Sequence, residues 1–294
     1  MHEEPSRDER SLRTGIIVTF LFFAVEVLGS WLSGSLSLLS DAGHMFIDAF
    51  ALILSLGALT IARRLPTKER TFGFHRVEIF AAFINGLALL AVCGGIIYLA
   101  VLRFSQPRPI DSTMMLLIAL IGLGANLFIA IRLRGSHDVN VRSAFLHVMG
   151  DALSSVAVIA AAIWIALTGQ TIVDPILSCV IAGVIIITSL SMLRETVGIL
   201  LQFTPGDVDF DAVVRDMESV PGVSGVHNVH LWSLCSDINI LDAHVYSCEG
   251  DTAAIEKIKR EIKRRLEQYR IRHSTLEFEC EECKDCRVVR NLDK

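Results

Sequence analysis

Charge is scarce in this chain of 294 residues. Asp, Glu, Lys and Arg make up 20% of it, with no basic stripe of the kind that follows a phosphate backbone. The net charge of −5 and a pI near 6.0 set nucleic acid aside as a partner. Internal repeats and low-complexity tracts are also missing. No HExxH or related signature occurs in any apolar stretch, which removes the general base that a membrane-embedded metalloenzyme needs. The opening MHEEPSRDERSLRTG carries charge but no small-residue cleavage site, so the first apolar run reads as a retained span and not a signal peptide. The cysteines are odd in number, seven, which suits a disulfide framework poorly.

Hydrocarbon is abundant instead. Hydrophobic residues form 52% of the chain and its mean hydropathy is +0.52, the composition of a multi-span membrane protein. A helical span needs about 20 apolar residues. Six stretches qualify: 14–33, 38–62, 79–104, 112–132, 144–168 and 174–198. The connections ARRLPTKERTFGFHR and RLRGSHDVNVR are basic, whereas WLSGSLS and LTGQTIVD carry no Lys or Arg. Both termini are therefore expected in the cytoplasm, with Arg103 and Arg108 an outer-side minority. Asp174 and Pro175 read as the N-cap and first position of span six.

From about residue 207 the pattern changes. Phe210, Val213, Val214 and Met217 recur at helical spacing, and GVSGVHNVHLWSL and INILDAHVYS read as strands. Ile255, Ile258, Ile262 and Leu266 mark a second helix after Asp251, and STLEFEC is a last strand. The fold class is thus an α-helical membrane protein of six transmembrane helices with a C-terminal cytoplasmic ferredoxin-like α+β domain, in the order αββαβ. The expected division is an N-terminal arm (1–13), a transmembrane domain (14–203), the cytoplasmic domain (204–279) and a cysteine-rich tail (280–294).

Polar residues stand out against this background. SDAGHMFID places Asp41, His44 and Asp48 inside an apolar run, and HVMGD repeats the His-to-Asp spacing with His147 and Asp151. Residues four apart share a helical face. Two imidazoles and two carboxylates from spans two and five could close a tetrahedral site, and that donor set favours zinc, with cobalt or cadmium possible. The plain alternative is polar residues bonding inside a bundle. A single intramembrane Asp costs about 2.5–3.5 kcal/mol, so two such pairs at matched spacing weigh toward metal.

The segments SLSLLSDAGHMFIDAFAL, RTFGFHRVEIFAAFING, NVRSAFLHVMGDALSSVAVI, DPILS and GVHNVHLWSL resemble the cation diffusion facilitator family, in its zinc-transporting branch. The resemblance spans nearly the whole chain. It implies a homodimer of six-helix protomers in a lipid bilayer, exporting zinc by proton antiport and alternating access through His44, Asp48, His147 and Asp151. Zinc is then substrate and also a structural or regulatory ligand, and protons are the counter-ion. Short loops suggest a bacterial inner membrane.

Other residues stand lower. Asp41 is either an acceptor for a ligating imidazole or a polar residue at the outer interface. Asn85 and Asn126 are expected to bond across helices. His75 is a point where metal could enter, with Glu78 beside it; His137 and Asp138 could touch metal in passing. His227 and His244 match positions that bind regulatory zinc in the family, and Glu277 or Glu279 could complete such a site from one face of the last strand. His230 and Trp232 are expected on the opposite face from His227, as packing residues. Cys280, Cys283 and Cys286 give three thiolates at CxxC spacing, with a domain histidine or His2, from this chain or its partner, as a fourth ligand. A sensor without transport is the remaining class, and no recognisable output domain supports it.

Overall fold

The computed structural model describes residues 21–62, 64–134, 139–280 and 287–289. Among them, contacts divide the chain into two compact units. The first draws on Met1–Leu54 and Ile84–Met192, and the second on Ser55–Phe83 and Leu193–Lys294.

Apolar sequence becomes helix where the calculation from span length expects it. The helices are α1 (Leu21–Ser33 in its described part), α2 (Leu36–Ala62), α3 (Arg76–Ser105), α4 (Ser112–Leu133), α5 (Val139–Thr168) and α6 (Val173–Leu200). Four of these, α3 to α6, are long and apolar enough to cross a membrane. Backbone groups in such helices are satisfied internally, and hydroxyls join in: Ser178 donates to Asp174 O at 2.8 Å and Ser189 to Ile185 O at 2.7 Å. Asp111 starts α4 by accepting from Thr113 N and Met114 N, both at 3.0 Å.

In the first unit α2 is packed on two sides. Leu38 joins Met115 and Ile118 of α4 and Val158, Ala162 and Ile165 of α5. Lower on the same helix, Ile47 joins Leu89, Cys93 and Ile96 of α3 with Ala182 and Ile185 of α6. Apolar packing on those faces leaves the His44 and Asp48 face of α2 turned to α5. Helix α1 comes close to α4 because Gly29 has no side chain: a Cβ there would stand 2.6 Å from Ile118 Cγ1.

The second unit holds a three-stranded sheet in the order β1-β2-β3, built from β1 (Gly225–Cys235), β2 (Ile238–Tyr246) and β3 (Ile271–Glu279). β1 and β2 are antiparallel, and β2 and β3 parallel. Two amphipathic helices, α7 (Phe210–Glu218) and α8 (Thr252–Leu266), cover one face, giving the expected order αββαβ. Val213, Val214 and Met217 from α7 and Ile258, Ile262 and Leu266 from α8 bury against Val226, Val229, Leu231, Leu241, Ala243 and Val245. Asp209 and Asp251 cap these helices through Ala212 N (3.1 Å) and Ala253 N (3.2 Å).

Two sequence expectations are corrected. Asp174 does not cap α6, which begins one residue earlier at Val173. Its carboxylate turns away to the start of α2, where free N–H groups and two serine hydroxyls outcompete those of its own helix. His230 and Trp232 do not oppose His227. One extra residue stands in β1 between the pairs His227↔His244 and His230↔Asp242, with Asn228 in the left-handed region at φ 50. This β-bulge resets the alternation, so Val226 and Val229 both face the core and His227, His230 and Trp232 share the other face.

Candidate metal centres

The α2–α5 face brings the two HxxxD pairs together. Asp48 Oδ2 lies 3.5 Å from His44 Nε2 on its own helix and 3.2 Å from His147 Nε2 across the gap. His147 Nε2 is 3.8 Å from Asp151 Oδ2, and the two imidazoles meet edge to face with centroids 5.8 Å apart. Ligand atoms of His44, Asp48 and His147 all fall within 4.8 Å of one another, and Asp151 completes the quartet through His147.

These spacings suit a small tetrahedral cation. Zinc bonds of about 2.0–2.1 Å place neighbouring ligand atoms about 3.4 Å apart in a tetrahedron. Two neutral imidazoles with two carboxylates carry a charge that a divalent cation cancels. The same nitrogens and oxygens bind protons, so metal and proton compete for one set of lone pairs. The His147 side chain is 51% exposed and that of Asp151 only 18%, so the cluster is open on one side and backed on the other.

Around it, Ser154 Oγ of α5 donates to Asp41 Oδ1 at 2.8 Å. Asp41 is therefore buried next to the cluster with a partner on α5, and no bond from it to His44 forms; His44 Nδ1 is buried without a hydrogen bond among the described residues. Glu26 of α1, which the sequence reading passed over, is buried in the same region at 1% exposure. Its signal was present: a lone acid in FLFFAVEVLGSWL, which an apolar helix does not carry without cause. Asn85 and Asn126 are buried, and neither joins a group of candidate ligands among the described residues.

The bare face of the sheet carries a second cluster, in the second unit. His227, His244 and Glu279 offer ligand atoms within 4.8 Å of one another. His244 Nδ1 donates to Glu279 Oε1 at 2.6 Å, so the lone pair of Nε2 is free to accept from Asn228 Nδ2 at 3.1 Å. Glu277 stands on the rim, 3.6 Å from His244 Nε2. His227 Nε2 lies 3.1 Å from Glu279 Oε2 without an aligned hydrogen bond, although the residue is only 3% exposed. A buried imidazole nitrogen left unpaired is costly, and three converging donors around it fit a bound zinc ion. Cys280 follows Glu279 directly and is exposed. Cys283, Cys286, His2, His137 and Asp138 lie outside the described residues. Beyond them, Asn228 N donates to Arg287 O at 3.2 Å and Val229 N to Val288 O at 2.7 Å. His75 stands immediately before α3 and lines a cavity of about 670 Å³ with Phe72, Phe74 and Trp232. It joins no candidate ligand group among the described residues, and neither does Glu78.

Comparison with known proteins agrees with these features. Residues 12–201 match a family model described as the cation efflux transmembrane domain, and residues 205–279 one described as the cation efflux protein, cytoplasmic domain. The chain is 38% identical over 289 residues to a protein of Pectobacterium atrosepticum named zinc transporter ZitB, covering 97% of this chain and 89% of the relative. It is 37% identical over 285 residues to a Bacillus subtilis protein named cadmium, cobalt and zinc/H(+)-K(+) antiporter, covering 95% and 91%. It is 37% identical over 296 residues to the metal cation efflux system protein CzcD of Cupriavidus metallidurans, covering 99% and 93%.

Proposed function

This chain belongs to the cation efflux family of multi-pass metal transporters, and on that premise we propose that it exports zinc from the cytoplasm in exchange for protons. The family comprises metal cation transporters and not enzymes. The observation that carries the proposal is the position of Asp48 Oδ2 between His44 Nε2 and His147 Nε2, at 3.5 and 3.2 Å, with Asp151 behind.

In this reading His44, Asp48, His147 and Asp151 take zinc, with cadmium or cobalt as secondary substrates. The site faces the cytoplasm with imidazoles neutral and carboxylates ionised, and binds metal. Opened to the other side at lower pH, the same atoms take protons and let metal go. The first two helices, α1 and α2, complete a set of six spans with α3 to α6, both termini are cytoplasmic, and the αββαβ unit is a ferredoxin-like domain through which two copies pair. His227, His244 and Glu279 hold a resident zinc ion, which when bound cross-links β1, β2 and β3. A bacterial inner membrane supplies the inward proton gradient.

The test is zinc flux in proteoliposomes of the purified protein, with and without an imposed pH gradient, comparing wild type with Asp151→Ala. Gradient-stimulated flux abolished by the substitution is the expected result. Tight binding without flux in the wild type overturns the transporter reading, and full flux in Asp151→Ala overturns the site.

A further inference from the structure

Behind the metal ligands two acids meet with no base between them. Glu26 of α1 is 1% exposed and Asp41 of α2 is 4% exposed, and their carboxyls face each other within hydrogen-bonding contact. The groups that face Glu26 are Asp41 and Asp151; those that face Asp41 are Glu26, Ser154 and His44. Among the described residues no Lys or Arg pairs with either acid. Ser154 Oγ supplies one donor, to Asp41 Oδ1 at 2.8 Å. Glu26 Oε2 is buried and, with Glu26 written as a carboxylate, has no partner at all.

An ionised carboxylate only accepts hydrogen bonds. Two of them cannot bond to each other, and two like charges a bond length apart in a buried site do not both ionise. Neither acid has a cation to pair with, and burying an isolated charge is prohibitive. One proton resolves all of this: it turns the contact into an O–H donor on one acid and an acceptor on the other.

We propose that Glu26 and Asp41 share one proton across a carboxyl–carboxyl hydrogen bond and form a proton-binding site separate from the metal ligands. Neither is one of the four ligands, and no hydrogen bond joins either to His44, Asp48, His147 or Asp151 among the described contacts. The proposal rests on the proton-exchange reading above. Zinc arriving at the neighbouring cluster places a double positive charge on the far side of His44 and Asp151, which favours the fully ionised pair. The shared proton then leaves as H⁺, both carboxylates remain, and no bond other than O–H breaks. When zinc departs, the uncompensated pair takes a proton back. Each metal cycle thus moves a proton that the ligands themselves do not carry.

The experiment uses the full chain in detergent and in proteoliposomes, with zinc itself as probe. Infrared difference spectra, zinc-bound minus metal-free, are expected to show loss of a protonated-carboxyl C=O band in wild type and no such component in Glu26→Gln. Titration calorimetry in buffers of different ionisation enthalpy is expected to show release of up to one proton fewer per zinc in Glu26→Gln, with zinc affinity within about tenfold of wild type. Proton-gradient stimulation of flux falls in parallel. A folded Glu26→Gln protein that binds zinc with wild-type proton release and wild-type gradient stimulation overturns the proposal; a merely structural pair gives that result. Should Glu26→Gln not fold, Asp41→Asn takes its place, and absence of a zinc-sensitive carboxyl band in wild type overturns the proposal by itself. If wild type shows no gradient-stimulated flux, the export reading fails while the infrared band still decides the pair.

Discussion

The Asp174 carboxylate caps the first turn of a helix that begins far from it in sequence, accepting a hydrogen bond from Leu36 N at 2.7 Å. Ser37 N at 3.0 Å and the hydroxyls of Ser35 and Ser37, both at 2.6 Å, bond the other oxygen, and Arg103 Nη1 of α3 approaches at 3.2 Å. One fully buried acid therefore ties the starts of α2 and α6 to the end of α3. Since α2 carries His44 and Asp48, this clasp sets where along the bundle those side chains stand.

Removing it leaves buried donors and the Arg103 guanidinium without their acceptor. Asp174→Ala is expected to destabilise the protein by about 3–5 kcal/mol, the cost typical of breaking a buried ion pair from one side. Thermal melting in detergent would measure it, and an unchanged melting temperature would show that the clasp holds nothing.

The metal preference of the α2–α5 cluster depends on its nitrogens. His44→Asp replaces a borderline donor by a hard oxygen, so discrimination is expected to shift toward harder divalent ions such as manganese. Competition assays in proteoliposomes, zinc against manganese, read the ratio directly. An unchanged ratio would place His44 outside the coordination sphere.

The sheet cluster is a separable site. His227→Ala is expected to lower zinc bound per protomer, by elemental analysis of gel-filtered protein, while leaving the contribution lost in Asp48→Ala intact. The two losses should add, because the substitutions share no partner. Zinc content unchanged by His227→Ala would remove zinc from the sheet.

Asn228 pays for the bulge with its left-handed backbone at φ 50. Gly adopts that conformation freely and a β-branched residue does not. Asn228→Val is expected to cost about 1–2 kcal/mol, and Asn228→Gly to keep the fold while losing the bond to His244. Unfolding of the two variants side by side checks the order.

At the helical face of the sheet, Tyr269 Oη donates to Asp216 Oδ2 at 2.6 Å, and that bond raises the phenol from 10.0 to about 12. The folded state holds the proton more tightly than the unfolded chain does. The stabilisation is therefore complete below about pH 10 and is lost as pH rises through about 12. Spectrophotometric titration should show a late phenolate component that is absent in Tyr269→Phe; loss of no such component would mean the bond does not form in solution.

Spacing along the chain determined much of this protein by itself. His44 and Asp48, like His147 and Asp151, share a face because any helix puts residues four apart together, and the apolar runs that make those segments helices are visible in composition alone. The order αββαβ was legible for the same reason: the amphipathic period of α7 and α8 is local. What depends on a distant partner or on one backbone angle was not legible. Asp174 looked like a cap for its own helix because its nearest donors in sequence lie there, and only packing brought the start of α2 closer. His230 and Trp232 were assigned to the wrong face because alternation holds only while the ladder is regular, and a single positive φ at Asn228 breaks it. Glu26 and Asp41 lie on different helices, so their meeting, and the proton it demands, exists only once α1 and α2 are packed and water is gone.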